Sequence, residues 1–310
     1  MARPRAIARL LRASNLPSVF SNCLTGAAVG AASLDNPGPG YPVAAAVADQ
    51  GFVVGEGLLI GLGVMTFYLA GAILNDVFDI RWDREHRPDR PLASGLVSTP
   101  FATWFASVLI VVGVGWAWTM GAPAFAAAGA LLAAVLAYDW LHKRSAGSVF
   151  LLGAARGLVI TVAALAVNPD AGWTLAAPIA LVVAIYTTLL SFIARGEYRA
   201  APDARRWLSL AMPLVVIGAA AFVRPADPGD EAFAAAPALA GALAVGWLAW
   251  AARRAMASPP RTGRAVGMWL IGFCFVDAWC CALLGAPLAA AVAAGLGVVM
   301  LALQRLAPGT

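Results

Sequence analysis

Ten apolar runs, each long enough to cross a bilayer, dominate this chain and leave only short polar connections between them. They occupy 14–34, 52–75, 101–120, 122–140, 147–167, 173–195, 206–223, 232–252, 264–284 and 286–304. A spanning helix needs about 20 apolar residues, and in lipid an open chain satisfies its own backbone only as a helix. The expected fold is therefore all-α, a polytopic membrane bundle of nine to ten transmembrane helices forming a single domain over residues 1–310. The smaller number applies if the final run, set off by little more than Gly285 and Pro287, is a bent or interfacial helix. Composition agrees: charged residues are 12% of the chain, against about 25% in soluble domains.

A net charge of +5 invites a nucleic-acid reading, but the distribution of that charge excludes it. Arg3, Arg5, Arg9 and Arg12 precede the first run, and Arg81, Arg84, Arg87 and Arg90 follow the second. Lys143 and Arg144 follow the fourth, and Arg195, Arg199, Arg205 and Arg206 flank the sixth and seventh. Arg253, Arg254, Arg261 and Arg264 follow the eighth, and Arg305 ends the tenth. Nineteen of the 21 basic residues thus fall on one side of the alternation, which assigns that side, and the N-terminus, to the cytoplasm. Twenty arginines to one lysine, with abundant Ala and Gly, fit a GC-rich bacterial genome and hence a bacterial inner membrane. Cys23, Cys274, Cys280 and Cys281 lie inside apolar runs without metal-type spacing, so they are expected as small buried side chains. No removable signal peptide is expected.

The stretch from Leu74 to Gly95, LNDVFDIRWDREHRPDRPLASG, carries five acidic residues at the end of an apolar run. If the helix continues through it, Asp76, Asp79 and Asp83 fall at i, i+3 and i+7 and share an arc of about 60°. Like charges crowded beside a membrane are costly, and Mg²⁺ resolves that cost by taking one or two carboxylates together with substrate phosphates. Asn75, four residues before Asp79, adds a carbonyl ligand or holds a carboxylate. The alternative is a solvated loop in which the four arginines pair the acids.

NDVFDIRWD followed by RPLASG resembles the first aspartate-rich motif of the UbiA-type intramembrane prenyltransferases, N-D-x-x-D-x-x-x-D with a downstream Arg-Pro…Gly, here Arg90 to Gly95. Asn15 and Asn22 match polar positions that this family places beside its cavity. Tyr138, Lys143 and Arg144 in AYDWLHKR resemble its Tyr…Lys-Arg element, and the Gly-Ala pairs of LLGAARG suit its close helix packing. The resemblance implies helices around a central cavity, with Mg²⁺ bound by Asp76, Asp79 and Asp83. It also implies transfer of a prenyl group from a prenyl diphosphate to a hydrophobic acceptor. Lys143 then clamps a phosphate or merely orients the chain. Tyr138 faces the allylic cation or sits at the lipid interface.

The family's second motif, D-x-x-x-D after the sixth helix, is not matched. SFIARGEYRAAPDARR offers Glu197 between Arg195 and Arg199, with Asp203 behind Pro202. Arg195 and Arg199 are then candidates to contact the diphosphate directly, and Glu197 to serve the same site. Arg195-Gly196-Glu197 with Arg156 is similar to the EboC-like branch of UbiA-related proteins. Arg156 and Asp277 are isolated charges inside apolar runs. They pair with each other, or Arg156 lines the substrate cavity. Two other function classes stay open: a non-catalytic prenyl-lipid binding protein on the same fold, and a small-molecule transporter.

Overall fold

The computed structural model describes residues 7, 9–34, 49–170, 173–195, 204–220, 231–257 and 262–306, and these form helices and turns without a strand. Eleven α-helices follow one another: α1 (Leu16–Leu34), α2 (Gln50–Phe78), α3 (Ile80–His86), α4 (Thr99–Thr119), α5 (Ala122–Leu141), α6 (Ser148–Val167), α7 (Trp173–Ala194), α8 (Ala211–Ala220), α9 (Glu231–Met256), α10 (Thr262–Leu283) and α11 (Pro287–Leu306). Eight of them are long and apolar enough to cross a membrane. Helix α1, with 19 residues, has the length for a ninth, but Ser18, Ser21, Asn22 and Thr25 dilute its hydropathy.

That dilution reflects position. Helix α1 lies at the centre and packs against α2, α6, α10 and α11. Its neighbour α10 is 78% buried over its most apolar window, whereas α4 is 22% buried. Helix α4 presents Trp104, Val111 and Trp118 outward, as a lipid-facing helix must. A helix enclosed by other helices can carry polar groups if they find partners, and α1 does.

The run expected over 206–223 is described as far as residue 220. The described residues there form a 3₁₀ segment, Ala204–Leu210, followed by the ten-residue α8. Pro213 lies in the first turn of α8, and its ring obstructs an α-helix continuing from the N-terminal side. The final two runs are both full helices. Gly285 turns the chain between them at φ +76°, a conformation that glycine adopts without strain.

Small residues set the closest helix contacts. A Cβ at Gly153 would meet Thr188 Oγ1 and lie 2.6 Å from the Ala184 carbonyl oxygen. One at Gly157 would lie 2.6 Å from the Ala180 carbonyl oxygen. LLGAARG is therefore a small-xxx-small seam between α6 and α7. Gly153→Ala is expected to force these helices apart, because backbone cannot yield as a flexible side chain does. A loss of about 1–3 kcal/mol should appear as a lower unfolding temperature in detergent, and an unchanged temperature would contradict the seam. All four cysteines are buried.

Candidate active site

The helix entering the acidic stretch ends at Phe78 and restarts at Ile80, with Asp79 between them at φ −86°, ψ −4°. Backbone bonds bridge the interruption: Asp79 N–H donates to Asn75 C=O at 3.0 Å and Asp83 N–H to Asp79 C=O at 2.9 Å. The helical path thus persists, and Asp76, Asp79 and Asp83 are all buried at one end of the bundle.

Cations from three chain segments meet them. Arg90 Nη1 lies 3.2 Å from Asp76 Oδ1 and 2.9 Å from Asp83 Oδ2, so one guanidinium nitrogen bridges two carboxylates. Arg12 Nη2 donates to Asn75 Oδ1 at 2.7 Å and Asp76 Oδ1 at 3.3 Å. It does so from a left-handed backbone, φ 46° and ψ 44°, the one described non-glycine residue at positive φ. Lys143 Nζ lies 2.9 Å from Asp79 Oδ1 and 4.0 Å above the ring of Trp82, a cation–π contact. His142 Nε2 is 3.2 Å from Asp79, and its Nδ1 is 2.9 Å from the Asp139 carbonyl oxygen. Asp139 is itself buried, and its Oδ1 accepts from Asn75 Nδ2 at 3.1 Å. That bond directs the carbonyl of Asn75 towards Arg12 and the acidic cluster. Among the described residues, two carboxylate oxygens are buried without a partner, Asp83 Oδ1 and Asp139 Oδ2.

Tyr138 is half-buried, stacks on His142 with ring centroids 5.4 Å apart, and lies within electrostatic reach of Arg12. The other candidates are placed elsewhere. Arg144 is exposed and lies over Trp140. Arg195 donates to Ala146 C=O at 2.8 Å and Ser148 Oγ at 2.7 Å, tying the end of α7 to the α5–α6 turn. Asn22 is fully buried and binds Asp277, with Nδ2 at 2.9 and 2.7 Å from its two carboxylate oxygens. Ser21 Oγ at 2.6 Å and Thr25 Oγ1 at 3.0 Å complete that cradle. Arg156 makes no ion pair with Asp277 among the described residues; it donates to Ser18 C=O at 2.7 Å and covers the ring of Phe273. Glu197 and Arg199, with Asp203, lie outside the described residues. Arg12, Asp139 and His142 join the cluster without having been singled out as site residues by the sequence reading.

A model of the UbiA prenyltransferase family matches residues 38–261, most of the chain and all three aspartates. The chain belongs to the UbiA prenyltransferase family. It is a multi-pass membrane protein of that family's all-helical fold. Similar proteins include the digeranylgeranylglyceryl phosphate synthase of Methanopyrus kandleri, 34% identical over 137 residues, which are 37% of this chain and 51% of that protein. The enzyme of the same name from Thermococcus kodakarensis is 31% identical over 86 residues, 28% of this chain and 31% of that protein. The chain thus spans about half, or less, of the length of these curated relatives. No solved structure matches it.

The Asp79–His142 pair should make stability depend on pH. Burial works to raise the Asp79 pKa, but hydrogen bonds and charge from His142 and Lys143 outweigh it and hold the carboxyl below its usual range. Burial works to lower the His142 pKa, but Asp79 outweighs it and holds the imidazolium above its usual value. The His142 contribution is full below the unfolded pKa of about 6.5 and is lost as pH rises through the raised folded value. The Asp79 contribution is lost only in acid, as pH falls through its lowered folded value. In EDTA, the thermal stability of wild type over His142→Gln should therefore shrink between pH 6 and 8. With 14% of the His142 side chain and 10% of the Asp79 side chain exposed, solvent screens the pair only in part, and the gap is expected to be about 1 kcal/mol. A gap independent of pH would remove the pair.

Proposed function

We propose that this UbiA-family protein transfers a prenyl group from a prenyl diphosphate to a hydrophobic acceptor within the bilayer, with Mg²⁺. The observation that carries the reading is the bridging of Asp76 and Asp83 by one Arg90 nitrogen, beside Asp79 bound to Lys143. Among the described residues no three acidic, His or Cys side chains form a metal cage alone. The donor set nevertheless suits Mg²⁺, which takes one or two carboxylates and completes its shell with substrate phosphates and water. Asp83 Oδ1 is a buried carboxylate oxygen awaiting a partner. Asp76 and Asp83 would hold the ion, which when bound neutralises charge on the leaving group.

The chain's own residues do the rest. Arg90, Arg12 and Lys143 are the groups that bind diphosphate oxygens once the carboxylates engage the metal, and they hold those oxygens in place. The C1–O bond of the donor breaks, its electron pair leaves with the diphosphate, and the allylic cation stays below. The acceptor's nucleophilic atom bonds to C1 and releases a proton. Tyr138, stacked on His142 beside Asp79, would offer an electron-rich ring to that cation. The nineteen basic residues on one side favour a cytoplasmic site with the N-terminus on the same face, in a bacterial inner membrane. The names of the relatives make a prenylated glyceryl phosphate the first acceptor to try.

The test is calorimetric titration of detergent-solubilised protein with farnesyl or geranylgeranyl thiodiphosphate. It is run with Mg²⁺ and with EDTA, on wild type and on Asp76→Ala/Asp79→Ala. Binding that needs Mg²⁺ and falls about 100-fold or more in the double variant supports transfer. Absence of binding under every condition rejects it. Binding without turnover of any acceptor favours a prenyl-lipid carrier, a reading encouraged by the unmatched second motif, in which Glu197 stands in place of a paired aspartate.

A further inference from the structure

The turn between α5 and α6 carries Lys143, the only lysine of the chain. Its Nζ lies 2.9 Å from Asp79 Oδ1 and 4.0 Å above the ring of Trp82, while 37% of its side chain is exposed. Holding a long, partly exposed ammonium in one geometry costs rotamer entropy and is opposed by solvent. Such a group stays at a fixed point only when its own backbone is held and its surroundings are ordered. Residues 142–147 lie between helices, so the helical ladders do not supply that support.

Arg195 supplies it from the end of α7. Its Nη1 donates to Ala146 C=O at 2.8 Å, and its Nη2 to Ser148 Oγ at 2.7 Å and His142 C=O at 3.2 Å. Ser145 C=O lies 3.5 Å from the same Nη2. One planar fork thus gathers acceptors from both sides of Lys143. Ser148 is buried, and its hydroxyl donates onward to Ser145 C=O at 3.0 Å, which closes the anchor on itself. Arg195 also lies within electrostatic reach of Tyr138, so its charge stands beside the acidic end of the bundle. These bonds grip backbone and a serine, and leave the Lys143 side chain to Asp79 and Trp82. Lys143 is therefore free to exchange a carboxylate for a phosphate oxygen without movement of the turn.

We propose that Arg195 is a positioning residue that fastens the 142–148 turn, holds Lys143 over the acidic cluster, and thereby sets diphosphate affinity without touching the diphosphate. The placement of Lys143 stands on the contacts alone, and the effect on diphosphate rests on the prenyl-transfer reading. A cation already in place strengthens binding because less ordering accompanies it. The effect of Arg195 on affinity must then vanish when Lys143 is removed. Direct phosphate contact by Arg195, or general support of the bundle, predicts instead that the two losses add.

The test uses detergent-solubilised full-length protein and two readouts. In the first, acetic anhydride labels Lys143 in EDTA without ligand, and mass spectrometry of the peptide follows the rate. Pairing with Asp79 protects the amine, so Arg195→Gln should speed its labelling several-fold. Ser148→Ala, which removes one anchor, should speed it less, and it takes over in both readouts if the glutamine variant fails to fold. In the second, geranylgeranyl thiodiphosphate is titrated in Mg²⁺. Arg195→Gln should weaken binding about 10-fold when Lys143 is present and under about 2-fold beside Lys143→Gln. Lys143 labelling as slow in both variants as in wild type overturns the proposal. So does an equal loss of affinity in the two backgrounds, which would make Arg195 a direct ligand or a general stabiliser. Faster labelling of the variants, with no thiodiphosphate binding by wild type, removes prenyl transfer and leaves Lys143 held by Arg195.

Discussion

Asp277→Ala should cost about 3–5 kcal/mol and yield protein that unfolds in detergent well below the wild-type temperature. The carboxylate is fully buried and takes hydrogen bonds from Ser21, Asn22 and Thr25, all on α1. Alanine strands those donors where no water or lipid group replaces the oxygen atoms, and each unsatisfied buried donor costs about 1–3 kcal/mol. The contacts also join the central helix to α10, so their loss loosens the centre rather than an edge. Asn22→Ala should cost less, because Ser21 and Thr25 still serve the carboxylate. If Asp277→Ala unfolds no more easily than Asn22→Ala, the cradle does not hold α1 in place.

Arg90→Ala should produce the other large effect, one that depends on magnesium. Removal of the guanidinium leaves Asp76 and Asp83, at 7% and 2% side-chain exposure, facing each other with Arg12 as the remaining neighbour of Asp76. Loss of one partner from a buried ion pair costs about 3–5 kcal/mol, and the 20% exposure of Arg90 puts the expected value nearer the lower end. A divalent ion supplies the missing charge. Arg90→Ala should therefore be markedly destabilised in EDTA and should recover much of the loss in millimolar Mg²⁺. Wild type, whose acids are already paired, should gain less. Equal Mg²⁺ responses in the two proteins would mean that Asp76 and Asp83 do not form a common cation site.

The membrane fold was legible because apolar length is a local property. Nine of the ten runs became helices within a few residues of their expected bounds, and the tenth, at 206–223, is helical as far as it is described but opens in a 3₁₀ segment ahead of Pro213. The acidic cluster was legible for the same reason, since Asp76, Asp79 and Asp83 follow one helical path. Its cations were harder to read. Arg12 counts equally well as an orienting charge, and only the left-handed turn at that residue brings it onto Asn75 and Asp76. Asp139 was readable in principle: it is an acid inside an apolar run, the same signal that singles out Arg156 and Asp277. His142 sits beside Lys143, and which of the two meets Asp79 is decided by the turn after α5; both do. Arg195 shows the converse. Its sequence neighbourhood suggests a phosphate ligand, while the fold uses it to hold the α5–α6 turn.

The central place of α1 has a consequence for the ribosome. Its polar face is satisfied by Asp277, 256 residues downstream of Ser21. At about 5–20 residues per second, some 10 to 50 seconds of synthesis separate the emergence of Ser21, Asn22 and Thr25 from that of their partner. During this interval the first helix must keep three polar side chains out of hydrocarbon, sheltered by the insertion machinery or by an early pairing with α2. The last helices to be made therefore complete the first, and a nascent chain stalled before α10 should be a preferred substrate for membrane proteases.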